Sequence, residues 1–371
     1  GRIAAMIIRN GMVFQENKNF VQRDVYIENG RIVHSIQDVK DTTEVDASGL
    51  YVLPGLVDIH SHGAVGHDFS DGDEEGLKKI LKYEYSHGIT TYCPTSMTVE
   101  KEKLTKIFSS MADWKDEKGM SHVAGINMEG PFLDVNKRGA HRPEWILAPD
   151  IDLFRECNSL CGGKIRLVTL APNIDGAMEF IQALKEETVI SLGHTAADYD
   201  TCKKALDAGA CHVTHLYNAM NPLEHRAPGL IAAASEDENC VAELICDGIH
   251  VHASMIKVAF KLFPDRIALI SDSMRAVGLA NGTYELGGQQ VHVDGRRATL
   301  SNGTIAGSAT NVYDCMCTAA SFGIPLEDAI AAATITPAKS IGIFDEVGSL
   351  TPGKRADVLL VDKNLKLVRV I

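Results

Sequence analysis

The chain has 371 residues, 45% hydrophobic and 23% charged, a composition with ample capacity to bury a core that excludes a disordered or fibrous protein. Its formal net charge of -13 excludes a non-specific nucleic-acid binder, which needs surplus Lys and Arg to displace counterions, so any anionic ligand has to be held by a local basic cluster. No run approaches the roughly 18 apolar residues that span a bilayer, no signal-peptide core opens the chain, and the nine cysteines are irregularly spaced, several of them (Cys93, Cys240, Cys246) inside apolar runs; the expectation is a cytoplasmic protein with reduced thiols and no membrane contact.

Gly1 to Ala5, ahead of Met6, reads as a remnant of expression and not as part of the fold. From there, short strand-like runs at Ile7 to Arg9, Val25 to Ile27 and Arg31 to Val33 are punctuated by Asn10-Gly11 and Asn29-Gly30, the pattern of a small antiparallel β unit. The pattern returns at Ala356 to Val361 and Leu365 to Val368, after Pro352-Gly353. The two ends are expected to pair into a small β-sandwich domain made of residues 6–53 and 340–371.

Residues 54–339 alternate short apolar runs with longer amphipathic stretches, the signature of repeated βα units. The predicted strands are Leu56 to His60, Thr90 to Pro94, Val123 to Met128, Ile165 to Leu170, Val189 to Leu192, Val213 to Leu216, Val241 to Ile245 and Ile267 to Ser271. Helices are predicted at Gly76 to His87, Ala177 to Glu186, Thr201 to Ala208, Ser254 to Leu262 and Leu326 to Ala333. Eight such units make the fold class α/β, a (β/α)8 TIM-like barrel, with residues 283–303 as a β-hairpin insertion after the last strand.

Reactive side chains of such a barrel lie just past the carboxyl ends of its strands. Read there, the first strand ends in Asp58-Ile59-His60-Ser61-His62, with the two His on one side of an extended chain. The third ends in Glu129, the fifth in His194, the sixth in His215 and the eighth in Asp272. A lone His, such as His122 or His292, is an ordinary surface or hydrogen-bonded residue. Imidazoles and carboxylates converging on one mouth instead supply the ligands of a divalent metal: His60, His62, Glu129, His194 and His215, with Asp272 beside them. Cys315 and Cys317 point to different faces of a predicted helix and are structural.

These segments resemble the N-acetylglucosamine-6-phosphate deacetylase family of the amidohydrolase superfamily over almost the whole chain. The resemblance rests on Pro54 to Gly63, Asn127 to Phe132, Lys137 to His141, Gly193 to Thr195, Thr214 to Met220 and Cys246 to Val251. It implies a metal held by Glu129, His194 and His215, with Asp272 as catalytic acid and base. Because His60 and His62 are both present, it permits a second metal bridged by Glu129. Zinc is the first expectation, ahead of iron or manganese, at one or two ions per subunit. His141 in the Gly-Ala-His loop is implied as the stabiliser of the oxyanion. Phosphate or sugar contacts are implied at Ala140, Asn218, Ala219, Arg226, His250, Ile305 and Ser308, with one or both of Arg226 and His250 supplied by the neighbouring subunit of a homodimer. The substrate so implied is an amino-sugar phosphate. One departure is Ser273-Met274-Arg275, where small apolar residues are usual, which puts the pocket wall beside Asp272 in question.

Cyclic-amide relatives such as dihydroorotase or adenine deaminase carry a carboxylated Lys after the fourth strand. Here that run ends in Leu170-Ala171-Pro172-Asn173, without Lys, and Glu129 offers the bridging carboxylate. A non-catalytic scaffold relative would have lost metal ligands, and this chain retains them.

Overall fold

Both ends of the chain supply strands to one seven-stranded sheet. The computed structural model describes residues 5–40 and 43–371. The sheet contains Ala5–Phe14, Phe20–Glu28, Arg31–Val33, Glu44–Asp46, Tyr51–Pro54, Val358–Val361 and Leu367–Val370. Alternation places Met6, Ile8, Val25, Ile27, Val358 and Leu360 in one buried cluster. Asn29 and Gly30, both at positive φ, form the two-residue turn that pairs Glu28 with Arg31, the backbone that an Asn-Gly pair favours. Asn10-Gly11 behaves differently: it is a bulge inside the first strand, not a turn between strands. Gly is required there because a Cβ on Gly11 would lie 2.3 Å from Val52. Ala5, set aside with the residues ahead of Met6, pairs with Glu28 in that strand; the rest of that segment lies outside the described residues.

The strand Tyr51–Pro54 runs almost directly into the barrel. Its strands are β1 (Leu56–Ser61), β2 (Ile89–Ser96), β3 (Ile126–Glu129), β4 (Ile165–Leu170), β5 (Val189–Leu192), β6 (His212–Val213), β7 (Val241–Leu244) and β8 (Ile267–Leu269), parallel and adjacent in chain order. The sheet is nearly closed: across the seam from β8 to β1, the Asp272 N–H donates to the His60 carbonyl at 2.9 Å and the Ser271 hydroxyl to Asp58 at 2.5 Å. All five of those predicted helices are present, the helix expected around Cys315 and Cys317 is Val312–Ser321, and Lys101–Ser109, Ile151–Leu160 and Gly229–Ser235 add to them.

Apolar side chains fill the barrel toward one end, with Val57, Ile59, Leu167, Ala268 and Ile270 in contact with Ala338 and Ile341. Toward the carboxyl ends of the strands the interior turns polar, and His60, Thr95, Glu129, His212 and Glu243 are all buried. The insertion after β8 is a three-stranded antiparallel sheet, Gly282–Leu286, Gln289–Asp294 and Arg297–Leu300, and so has one strand more than a hairpin. All nine cysteines are unpaired, and Cys315 and Cys317 sit in Val312–Ser321. No helix among the described residues is long and apolar enough to cross a membrane.

Candidate active site

The strand ends turn sharply into the mouth. His194, His215 and Asp272 have φ of 46°, 25° and 49°, a left-handed backbone that costs a residue with a Cβ about 1–3 kcal/mol and persists only where the surroundings fix it. Here the Asp272 N–H is held by the His60 carbonyl, the His194 ring by the Lys137 carbonyl and the His215 ring by the Asn218 carbonyl.

Glu129 is the hub. Its Oε1 lies 3.1 Å from His62 Nε2 and 3.4 Å from His60 Nε2; its Oε2 lies 3.1 Å from the Nε2 atoms of both His194 and His215. Asp272 Oδ1 closes the first half, 3.2 Å from His60 Nε2 and 3.1 Å from His62 Nε2. The Nδ1–H of each of the four rings is committed away from the cage, to Glu243 for His60, to the Thr95 carbonyl for His62 and to the Lys137 and Asn218 carbonyls for His194 and His215. Every Nε2 therefore faces inward. The Nε2 atoms of His194 and His215 are 3.1 Å apart, where two lone pairs repel unless a cation lies between them.

These spacings fit a metal. Ligand atoms about 2.1 Å from one tetrahedral ion are about 3.4 Å apart, close to the separations around Glu129. Charge points the same way. Burial opposes ionisation of Glu129 and Asp272, yet the charge and hydrogen bonds of the surrounding imidazoles hold both far below the usual carboxylate range. In return, Asp272 and Glu129 overcome the burial of His62 and push it up to about 10. Two buried carboxylates thus draw positive charge into the cage, and a divalent ion supplies it without protons.

His141 approaches the same hub but has the opposite polarity. Its Nδ1 accepts from the Thr98 backbone N–H at 3.3 Å and lies 2.8 Å from the Thr98 hydroxyl. A backbone N–H can only donate, so the ring proton sits on Nε2, 3.5 Å from Glu129 Oε1. Burial holds the ring down to about 4, which keeps it neutral near pH 7. His141 thus presents an N–H donor where the four other rings present lone pairs, and His215 completes the second ligand set with Glu129 and His194.

The mouth opens into a cavity of about 470 Å³, the size of a small-molecule site. Its wall includes Ala140, His141, Asn218, Ala219, His250 and Ile305 among the predicted contacts. His250 is fixed by a 2.7 Å bond from its Nδ1–H to Asp247. Ser308 is not on the wall: its hydroxyl is buried and donates to the Ser271 carbonyl at 2.6 Å, and Gly307 lines the cavity in its place. Arg226 is exposed and off this wall. Arg275 also leaves the pocket alone, since its guanidinium binds Asp71, Glu285 and the Gly66 carbonyl. The structure adds Met97, Leu286, Lys137 and Arg138 to the wall, together with Thr98 and Glu243 behind the rings. Glu243 carries a visible signal in the sequence, a charge within the apolar run Val241 to Ile245, and Met97 and Thr98 lie just past the end of β2, a position that marks them as mouth residues.

A parallel barrel with an imidazole–carboxylate cage at the carboxyl ends of its strands defines a metal-dependent hydrolase of the amidohydrolase class, and the site is built for a divalent ion. The model of the Amidohydrolase family matches residues 51–370. The chain is 37% identical over 378 residues to the N-acetylglucosamine-6-phosphate deacetylase of Bacillus subtilis, covering 99% of this chain and 96% of that protein. It is 31% identical to that of Homo sapiens, covering 97% and 90%. A solved variant of the Mycobacterium smegmatis deacetylase in complex with N-acetyl-D-glucosamine-6-phosphate is similar with a TM-score of 0.91 and 30% identity, covering 100% of this chain and 98% of that one. The chain belongs to the N-acetylglucosamine-6-phosphate deacetylase family.

Proposed function

We propose that this protein hydrolyses the acetamide of N-acetylglucosamine-6-phosphate, consuming water and releasing acetate and glucosamine-6-phosphate. The observation that carries the reading is the opposed polarity of the rings around Glu129: four inward lone pairs and a carboxylate on one side, and the His141 N–H donor on the other. His60, His62, Glu129, His194 and His215 would hold a divalent ion, which would supply Lewis acidity toward water and the amide carbonyl. Zinc suits the mixture of N and O donors best, ahead of iron and manganese, and Glu129 has one oxygen for each half of a two-ion site.

Asp272, kept ionised, takes the proton of the attacking water and returns it to the sugar nitrogen as the C–N bond breaks. His141 Nε2–H meets the carbonyl oxygen as negative charge develops there, a donor that burial keeps neutral and in place. Glu129 stays ionised and holds the two halves of the cage in register. His250 faces the cavity with its ring set by Asp247 and takes the phosphate end, together with Arg226 contributed by the second subunit of a homodimer. The unpaired cysteines fit a reducing, cytoplasmic setting.

The test is acetate release from N-acetylglucosamine-6-phosphate by purified protein, with and without chelation, beside Asp272→Asn. Release that needs metal and is lost in the variant is expected. Folded protein that releases none at any metal loading would overturn the reading.

A further inference from the structure

A third buried carboxylate, that of Glu243, stands behind the cage. Three of the inward-facing rings are held by neutral main-chain carbonyls, those of Thr95, Lys137 and Asn218. His60 differs: its Nδ1 lies 2.9 Å from Glu243 Oε1. That same oxygen accepts the His215 backbone N–H at 3.2 Å, and Oε2 lies 2.9 Å from His212 Nε2. The other nitrogen of His212 is buried without a hydrogen-bond partner among the described residues, so its proton faces Glu243. Glu243 is thus clamped by three donors from β1, β6 and the turn after β6, wholly inside the barrel, where exposure is at most 1% for His60, His212 and Glu243.

We infer that Glu243 is the positioning residue that makes His60 a strong ligand, and that it thereby decides whether the His60, His62 and Asp272 half of the cage retains an ion. The inference rests on the two-ion reading of the cage. A carboxylate behind a ligating imidazole fixes the tautomer, orients the ring and raises its basicity, and loss of such a partner costs roughly 10–100-fold in metal affinity. A main-chain carbonyl orients a ring without adding a full charge. The half containing His194 and His215 has carbonyl support alone, apart from the His215 backbone bond, so removal of the Glu243 charge acts unequally on the two halves.

Metal-free parent and Glu243→Gln proteins are titrated with zinc against a chromophoric chelator, and bound metal is counted by elemental analysis. The parent is expected to take up two ions. The variant is expected to keep one with parental affinity and to bind the other roughly 10–100-fold more weakly, recovering it at higher free zinc. His212→Gln retains an N–H donor to Glu243 and is expected to bind like the parent. If Glu243→Gln does not fold, Glu243→Asp takes its place; it keeps the charge but is one methylene too short to hold His60 Nδ1, and selective weakening of one ion is again expected. Two ions of parental affinity in the folded variant, or equal weakening of both, would overturn the role of Glu243 alone. A parent that saturates at one ion overturns the two-ion reading, and the inference with it.

Discussion

Thr98 fixes the proton of His141: the threonine backbone N–H donates to His141 Nδ1 at 3.3 Å, with the hydroxyl at 2.8 Å from the same atom. That pair separates a donor from a ligand at a hub where two imidazole–carboxylate groupings, His60, His62, Glu129 and Asp272 in one and Glu129, His141 and His194 in the other, are close enough to hold ions. His141→Ala is therefore expected to lower kcat by about 10²–10³, the worth of one donor to an oxyanion, while bound metal stays at the parental level. His194→Ala is expected to lose metal and activity together. Elemental analysis beside steady-state kinetics checks both; metal loss in His141→Ala would move that residue into the ligand set.

Asp272 touches His60 and His62 through one oxygen. Asp272→Asn keeps the volume but removes the base, and kcat is expected to fall by about 10²–10⁴ with little change in KM. A solvent isotope effect on the residual rate that differs from the parent's would show that the proton transfer has changed hands.

How much of this was legible in the sequence depends on how far apart the partners lie. Parallel strands buried on both faces are short apolar runs, so β1 to β8 could be read from composition, and rings just past those runs fell at the mouth. The Thr98–His141 and His60–Glu243 contacts span 43 and 183 residues, and no local pattern registers them. Asn10-Gly11 carries the same turn signal as Asn29-Gly30, yet close approach to Val52 makes it a bulge. Ser308 follows a glycine at φ 69°; that turn sends its hydroxyl back to Ser271 and away from the cavity.

Arg226 is exposed and stands off the cavity wall, so under the proposed homodimer it would serve the neighbouring subunit's site. Arg226→Ala is expected to raise KM by about 10–100-fold, the loss of a charge-assisted bond to phosphate, with metal content unchanged. When Arg226→Ala is refolded with Asp272→Asn, mixed dimers carry one site with both groups intact, and activity above the sum of the separate variants is expected. No recovery in demonstrably mixed dimers would place the phosphate contact within one chain.

Arg275 holds Asp71 and Glu285 by bonds of 2.8 and 2.7 Å, which ties the loop after β8 to the first strand of the insertion. Arg275→Ala is expected to cost about 1–3 kcal/mol, seen as a Tm lower by a few degrees, while KM stays at the parental value. A raised KM at unchanged Tm would mean that this residue acts on the pocket after all.

Glu84 lies on the helix Glu74–Ser86, fully buried, and neither carboxyl oxygen has a hydrogen-bond partner among the described residues. Burial, reinforced by the nearby charges of Asp58 and Asp314, pushes its pKa well above the usual range. Folded protein therefore keeps a proton that the unfolded chain releases. The stabilisation is complete below the ordinary carboxyl pKa and is lost as pH rises through the raised value, at up to about 1.4 kcal/mol per pH unit. Burial also pushes Asp58 to about 7 and Asp68 to about 6, with the same sign in the same direction. Glu84→Gln removes one of the three titrations, so Tm at saturating metal is expected to fall less between pH 5 and pH 8 (about 1.4 kcal/mol less per pH unit at most) than in the parent. Parallel Tm profiles for the two proteins would show that the Glu84 carboxyl ionises in the fold at its ordinary pKa, and that Asp58 and Asp68 carry the slope.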